Sequence, residues 1–356
     1  MFDVMRGWVD HYLSDEEAVL LAALLIVGFV VIITMGDILA PLLIGIVIAY
    51  VLQGIIKFLQ HYHVPNIVAI GLTFAVFMGG AIALLFVVIP KVWRQLRSLF
   101  DELPNMINRA QEMLAMLPEH YPSLISEQQV MAWSDMLGNE LGQFGQWLLS
   151  FSLSQVPMVV GLVVYILLVP ILVFFLLKDK DRLLAWCLSF LPEKRPLMDR
   201  IGSEMNVQMA NYVRGKVVEI LIVGAVSYVF FMIFGLNYSA LLAFLVGLSV
   251  IVPYLGMIAV TIPVVIIAYL QFGWEPAFFY LFGGYLLVQA LDGFVLVPLL
   301  FSEAVNLHPI AIIAAVLVFG SWWGVWGVFF AIPLATLVKA LITSWPKGVR
   351  QLETET

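Results

Sequence analysis

Apolar residues along this chain come in long runs that short polar interruptions separate. The first run, Ala18 to Thr34, has 17 residues, which is the lower limit for a helix that crosses a bilayer. Asp37 separates it from a second run, Ile38 to Ile56, and a third run of 23 residues extends from Ile67 to Ile89. We therefore predict three membrane spans within residues 1–90, the first two joined by a tight turn.

The next segment, residues 91–155, is polar enough to lie outside the membrane. Its apolar residues recur at steps of three and four, which indicates an amphipathic helix, and they are Val92, Leu96, Leu99, Leu103, Ile107, Ala110, Leu114 and Leu117. We expect this helix to kink or restart at Pro104 and a second helix to extend from Ser126 to Leu149. With tryptophans as interfacial anchors, the segment would lie on the membrane surface or pack against neighbouring subunits.

A fourth span, Val156 to Leu177, ends at the most basic stretch of the protein. That stretch contains Lys178, Lys180, Arg182, Lys194, Arg195, Arg200, Arg214 and Lys216. Short connections rich in lysine and arginine stay in the cytoplasm. We therefore predict that residues 156–216 consist of a span followed by a cytoplasmic loop.

Alternation from this loop gives an orientation for the whole chain. The N-terminus and the tail, residues 346–356, are expected inside, and residues 91–155 outside. Thirteen of the 17 lysines and arginines then lie on the cytoplasmic side, as the positive-inside rule requires.

Residues 217–345 contain spans of a different kind. After a fifth span, Val217 to Phe234, the run Ala240 to Val252 has 13 residues and Met257 to Leu270 has 14, with Pro253, Tyr254 and Gly256 between them. Such runs reach about 20 Å as helices, which is less than the bilayer core of about 30 Å. They predict a hairpin of short or re-entrant helices.

A long span containing Gln289, Asp292 and Pro298 comes next and is followed by His308 and Pro309. The chain then has a second interrupted pair of runs, in which Gly320, Gly324 and Gly327 separate Ile310 to Phe319 from Val328 to Trp345. Paired interrupted segments of this kind are the best sequence indication of a transporter's substrate site. The predicted fold is an all-α integral membrane protein with about eight membrane-crossing helices, two of the segments being interrupted hairpins.

Asp292 is the first candidate for function, because a carboxylate in the membrane costs roughly 3 kcal/mol and needs a partner, a proton or a water-filled cavity. The alternative is that Asp292 lies nearer the membrane interface or is a satisfied structural residue between packed helices. For Glu219, the alternative is pairing with Lys216 or Arg214 or contact with the interface. The candidate substrate or ion path comprises Asp292, Gln289, Pro253, Tyr254, Gly256, Pro298, His308, Pro309, Gly320, Gly324, Gly327 and Glu219.

Composition agrees with the membrane assignment: 63% of residues are apolar, 12% are charged and the mean hydropathy is +1.03. A water-soluble globule is excluded, since its apolar share is about 45–50%. The single cysteine and the spacing of the five histidines favour neither a disulfide framework nor a metal site. Nucleotide, dinucleotide and hydrolase motifs are absent from the sequence. We expect no cofactor, no nucleic-acid partner and no enzymatic activity.

Several motifs carry a family resemblance over nearly the whole chain. They are FFLLKDKD at Phe174 to Asp181, NYVRGK at Asn211 to Lys216, VIVPYLG at Val250 to Gly256, LDGFVLVPLL at Leu291 to Leu300, LHPIAII at Leu307 to Ile313, and AIP at Ala331 to Pro333. The sequence resembles the AI-2E family of bacterial permeases. The resemblance implies a multi-pass protein of the bacterial inner membrane that forms homo-oligomers, with a pentamer as the expected assembly. Some family members export autoinducer-2, and others are sodium/proton antiporters.

Two functional hypotheses follow. The first is a secondary transporter of a small polar solute such as autoinducer-2, driven by an ion gradient, with Asp292 binding and releasing a proton. The second is a membrane scaffold in which residues 91–155 and the basic stretch bind partner proteins. The interrupted helices favour the transporter.

Overall fold

The computed structural model describes residues 16–120, 156–301 and 307–344, and within these ranges the regular structure is entirely helical. Eight stretches of the described residues are long and apolar enough to cross a membrane, which agrees with the predicted fold class. They are Glu16–Gly36, Ile38–His61, Asn66–Arg109, Gly161–Lys178, Pro196–Ile233, Leu255–Phe272, Pro276–Phe301 and Pro309–Phe329.

The first two predicted spans form one helical stretch, α1 (Glu16–His61), which changes direction at Met35. Met35 has φ −118° and ψ 15°, values outside the helical range, so two helices meet there. A turn that includes His63 with φ 64° leads to α2 (Asn66–Ala83). The predicted interruption near Asp37 is therefore a change of direction within α1.

The third span does not end at Ile89 as the sequence suggested. A five-residue π-helix, π1 (Leu84–Val88), follows α2, and α3 (Ile89–His120) continues through Pro90 and Pro104. Proline has no N–H and its ring collides with the carbonyl four residues earlier. In π1 the Ile89 N–H bonds five residues back, to the Leu84 carbonyl, and this wider turn directly precedes Pro90. The helix therefore continues where a normal α-helix would be interrupted.

The start of α3 packs against the C-terminal half of its own chain. The Gln95 Oε1 atom accepts a hydrogen bond of 2.8 Å from the Leu241 N–H. The Lys91 ammonium donates to the Tyr228 hydroxyl and lies 4.8 Å from the centroid of that ring. The second predicted amphipathic helix, Ser126 to Leu149, lies outside the described residues.

The basic stretch after the fourth span is helical, whereas the sequence analysis expected a loop. Helix α4 (Val156–Lys178) is followed by α5 (Lys180–Leu188) and by α6 (Pro196–Ile233), which has 38 residues. At about 1.5 Å per residue, α6 is about 57 Å long and extends well beyond a bilayer core of about 30 Å. The boundary predicted between residues 216 and 217 therefore lies inside a helix, which has no proline after Pro196 and continues through Gly202, Gly215 and Gly224.

The C-terminal half contains both predicted hairpins. The first hairpin consists of α7 (Ser239–Ser249) and α8 (Leu255–Phe272). The next span is divided into α9 (Pro276–Leu291), a second π-helix π2 (Asp292–Leu296), and α10 (Val297–Phe301). The second hairpin turns at Gly324, where two helices meet within α11 (Pro309–Phe329), and it includes α12 (Ala331–Ser344).

Each hairpin contains one short helix. Helices α7 and α12 have 11 and 14 residues, but α8 has 18 and α11 has 21. Helix α11 is longer than the predicted run of 10 residues because its interruption is confined to Gly324.

Helix α6 is the central element, since it contacts α1, α7, α9, π2, α10 and α12. The largest buried cluster lies beside it and includes Phe231, Val246, Val264, Leu281 and Tyr285. Large apolar side chains such as those of Phe86 and Phe294 are exposed on the outside of the bundle, as expected for surfaces that contact lipid.

Candidate functional site

The middle of α6 contains a buried ion pair. Lys216 and Glu219 are 4% and 2% exposed, and their Nζ and Oε2 atoms lie 2.6 Å apart. They are three residues apart on a helix, a spacing that places both side chains on one face. Removing two charges from water costs several kcal/mol for each ion. Of the two pairings considered for Glu219, the structure shows the one with Lys216.

The Lys216 ammonium has two further partners. It donates a hydrogen bond of 2.9 Å to the backbone carbonyl of Val250 and lies 5.0 Å from the centroid of the Phe301 ring. Val250 is the residue that ends α7, where the first hairpin is broken. Cations are favoured at helix C-termini because the free carbonyls carry partial negative charge. Lys216 thus connects the ion pair to the broken hairpin.

Asp292 is the third member of the cluster. It is the first residue of π2, it is half-buried, and its charge interacts with those of Lys216 and Glu219. Its Oδ1 atom is buried and has no hydrogen-bond partner among the described residues. With one lysine and two carboxylates, this charged cluster (Lys216, Glu219 and Asp292) has a formal charge of −1 when all three groups are ionised. A proton or a bound cation would neutralise it.

The Gln289 side chain bonds to a tyrosine of its own helix, although the sequence placed it on the same face as Asp292. It is buried, and its Nε2 atom donates to the Tyr285 hydroxyl at 2.7 Å. The Tyr285 hydroxyl lies 3.0 Å from Thr261 Oγ1, which in turn donates to the Met257 carbonyl at 2.7 Å. The three side chains connect α9 to α8. The π-turn that begins at Asp292 rotates the following residues away from the register of a regular helix.

The hinge of the first hairpin consists of residues 250–254. Tyr254 has φ 62°, an uncommon value for a residue other than glycine, and its side chain is 52% exposed. Pro253 is half-buried. Gly256 is required, because a Cβ at this position would lie 1.8 Å from the Ser249 carbonyl oxygen.

The second hairpin has a similar construction. Gly324 has φ 58° and ψ −136°, a conformation that only glycine adopts readily. A Cβ on Gly327 would lie 1.8 Å from the Phe319 carbonyl oxygen, and one on Gly320 would lie 2.9 Å from a Val328 methyl group. In both hairpins a glycine thus allows the chain to fold back against the carbonyl of the preceding helix.

Three side chains of the NYVRGK segment tie other helices to α6 through backbone carbonyls. The Tyr212 hydroxyl donates to the Phe329 carbonyl at 2.7 Å, at the end of α11. Arg214 Nε donates to the Tyr50 carbonyl of α1 at 3.0 Å, and Lys216 donates to Val250. Tyr212 and Lys216, one helical turn apart, therefore hold the broken ends of the two hairpins.

The remaining candidates have local roles in the structure. His308 caps α11, where its Nδ1 atom accepts from the Ile310 N–H at 3.3 Å, and Pro309 is the first residue of that helix. Pro298 follows π2 as Pro90 follows π1, and the Val297 N–H bonds to the Asp292 carbonyl five residues earlier. Pro298 thus helps to explain why Asp292 begins a π-turn.

Glu219 lies on α6 and Asp292 on π2, two elements that contact each other, and Lys216 links Glu219 to the hinge. Sequence reasoning missed Lys216 and Tyr212 as parts of the site, since both lie in the stretch assigned to a cytoplasmic loop. Among the described residues, no group of three or more histidine, cysteine, aspartate and glutamate side chains is arranged to hold a metal ion.

Helical spans, two broken hairpins and a buried charged cluster together define a multi-pass membrane protein of the transporter class. The chain belongs to the AI-2E family transporters, whose family model matches residues 20–347. It is 44% identical over 348 residues to the "Putative permease PerM" of Escherichia coli (strain K12), covering 98% of this chain and 99% of the relative. It is also 27% identical over 315 residues to the "Putative transport protein YueF" of Bacillus subtilis, covering 84% and 82%. The chain is therefore a membrane transporter.

Proposed function

We propose that this protein is a secondary transporter that moves a small polar solute, such as autoinducer-2, by using an ion gradient. The observation that carries the proposal is the charged cluster, which lies where α6, the first hairpin and π2 meet. The solute would pass between the two hairpins, and the ion would bind at Asp292 and Glu219. The activity is transport without a catalytic step.

The charges of the cluster support coupling to an ion. Lys216 offsets one carboxylate, so the second needs a proton or a cation in surroundings where an isolated charge is costly. Release and rebinding of either a proton or a cation would change the charge of the site during transport. The same pair of carboxylates also supports sodium/proton antiport as the second candidate.

The broken helices support a polar solute. Backbone N–H and C=O groups at membrane depth must be satisfied, and broken helices there are tolerated where they line a cavity or are buried in protein. Tyr254 in the hinge and Gly324 in the second turn have backbone angles outside the helical range. Their polar groups are therefore candidates for contact with a hydrogen-bonding solute.

The proposal includes the membrane, the orientation and the assembly of the transporter. We place it in the bacterial inner membrane with both termini in the cytoplasm, because 13 of its 17 lysines and arginines then lie inside. We also propose that it forms a homo-oligomer, with a pentamer as the expected assembly, and that it moves autoinducer-2 outward.

The proposal is tested with the purified full-length protein in liposomes, under an imposed proton or sodium gradient. We expect autoinducer-2 flux for the wild type and at least about a tenfold reduction for Asp292→Asn, which removes the charge but keeps the shape. The matched control is Asp181→Asn on the exposed helix α5, which should equal the wild type.

Sodium/proton exchange without solute flux would favour the antiporter. No flux of solute, sodium or protons, together with a silent Asp292→Asn variant in cells, would leave the scaffold hypothesis.

A further inference from the structure

We propose that Lys216 is a tethered cation that occupies the ion site of the transporter and holds the first hairpin closed until a proton or an alkali cation displaces it. Lys216 is then a positioning residue, which acts on the hinge through its contact with Val250. The inference rests on the proposed ion coupling and adds to it the residue that converts ion binding into hinge opening.

The first step concerns the oxygen atoms around the Lys216 ammonium. The Glu219 carboxylate is 2.6 Å from Lys216 Nζ and the Val250 carbonyl is 2.9 Å from it, and both groups are hard oxygen ligands of the kind that alkali cations use. The C-terminal end of a broken helix is also where coupling ions bind in many transporters. The ammonium therefore stands where a mobile cation would be expected.

The second step is the position of Asp292 beside this set. Its Oδ1 atom is buried and has no partner among the described residues, so it has a vacant acceptor on π2, an element that contacts α6. A proton or cation at Glu219 removes the main attraction that holds the ammonium there. The ammonium then has Asp292 as an alternative partner, and the Val250 carbonyl loses its donor.

The third step is the mechanical consequence. The hinge residues 250–254 are connected to α6 by the bond from Lys216 to Val250, which ends α7. Breaking that bond frees the hinge without changing the bond from Tyr212 to Phe329 at the second hairpin. The two hairpins therefore differ, since a charge holds the first and a neutral hydroxyl holds the second.

The groups that can titrate near Lys216 are few. Glu219 and Tyr212 lie on α6 and Asp292 lies on π2, whereas the packed helices α7 and α10 contain no ionisable residue. Of the other helices that pack on α6, α1 presents Tyr50 close to Arg214, and α9 contributes the buried Tyr285. Helix α12 contains Lys339, which lines the groove between α11 and α12.

Amide hydrogen exchange of the full-length protein in lipid nanodiscs provides the test. The readout is the amide exchange rate of residues 250–256, divided at each pH by the intrinsic rate of unprotected amides. Residues 324–331 provide the internal reference. For the wild type, we expect exchange of residues 250–256 to rise when sodium chloride replaces choline chloride at constant ionic strength, or when the pH is lowered in choline chloride. The first response would identify an alkali cation and the second a proton.

Three variants complete the experiment. Lys216→Met should raise exchange of residues 250–256 about tenfold and abolish the response to sodium and pH. Lys216→Arg keeps the charge and should retain the response. Tyr212→Phe, the matched neutral control, should raise exchange only in residues 324–331, by about fivefold, with no dependence on cations.

A wild-type hinge that responds to neither sodium nor pH would overturn the inference, as would a response that survives in Lys216→Met. The wild-type titration and Lys216→Arg decide the question even if Lys216→Met does not fold. The readout needs no transport, so a responsive hinge in a protein without solute flux would contradict the proposed solute and leave the inference standing.

Discussion

Replacing Lys216 with methionine tests the energetics of the charged cluster most sharply. The substitution keeps the apolar stem but removes the ammonium, so that the Glu219 carboxylate, 2% exposed, loses its cation. Breaking a buried ion pair by removing one partner costs about 3–5 kcal/mol. We expect Lys216→Met to lower the free energy of unfolding by about 4 kcal/mol, part of which is the lost bond to the Val250 carbonyl.

A double-mutant cycle separates this cost from a general loss of packing. Glu219→Leu alone should cost about 2 kcal/mol, because Asp292 still offsets part of the Lys216 charge. Replacing both residues removes both buried charges and should cost only about 1 kcal/mol, from the unpaired Val250 carbonyl. The two single effects therefore should not add.

Equilibrium unfolding of the purified protein in mixed micelles, followed by tryptophan fluorescence, measures these free energies. Lys194→Met serves as the control, because Lys194 is exposed and its replacement should change stability by less than about 0.5 kcal/mol. A cost below about 1 kcal/mol for Lys216→Met, or simple additivity in the cycle, would refute the reasoning.

Three further predictions concern contacts elsewhere in the fold and use the same unfolding assay. Gly256→Ala should destabilise the protein by more than about 3 kcal/mol, because the alanine Cβ would lie 1.8 Å from the Ser249 carbonyl oxygen. The control is Gly71→Ala, where an added Cβ would meet nothing within 4 Å. It should be neutral or stabilise the protein by up to about 1 kcal/mol. Gln289→Leu should cost about 1–2 kcal/mol, because the buried Tyr285 hydroxyl loses its donor. Gln95→Leu should cost a similar amount, because it leaves an N–H at the start of α7 unpaired. Equal effects of the two glycine replacements, or silent glutamine replacements, would contradict these assignments.

Hydropathy predicted the membrane-spanning elements well and the connections between them less well. The broken hairpin around Pro253 and Gly256 was predicted from the lengths of its apolar runs, and the structure places its hinge at residues 250–254. The helix continues beyond the span end predicted at Ile89, and most of the stretch predicted as a loop after Leu177 is helical. A π-turn carries the helix past Pro90, and α6 extends through charged residues that hydropathy counts as a boundary.

The charged cluster was predicted only in part, because it depends on contacts between distant residues. Asp292 and Glu219 were identified by the energetic cost of a carboxylate within an apolar run. Lys216 was assigned to a cytoplasmic loop, because periodicity does not show which face of a helix other helices cover. Its bond to Val250 spans 34 positions in the sequence, and the local pattern contains no sign of it.

The π-helices could have been anticipated from one local feature. Both end two residues before a proline within a long apolar helix, at Pro90 and at Pro298. A proline in such a position removes a backbone donor that the helix would otherwise use. The pattern is not sufficient by itself, since Pro170 and Pro263 lie inside apolar helices that have no π-turn. At Asp292 the wide turn sets the start of the segment that contains the candidate ion site.

The central claim is that ion binding at the charged cluster is coupled to solute transport, and reversed coupling tests it most directly. Liposomes containing the purified protein and an entrapped pH or sodium indicator are given an autoinducer-2 gradient with no ion gradient. Since coupling is reciprocal, the account predicts that the solute gradient drives ions across the membrane in the wild type and not in Asp292→Asn. Solute flux without ion movement in the wild type, or equal ion movement in Asp292→Asn, would contradict the account.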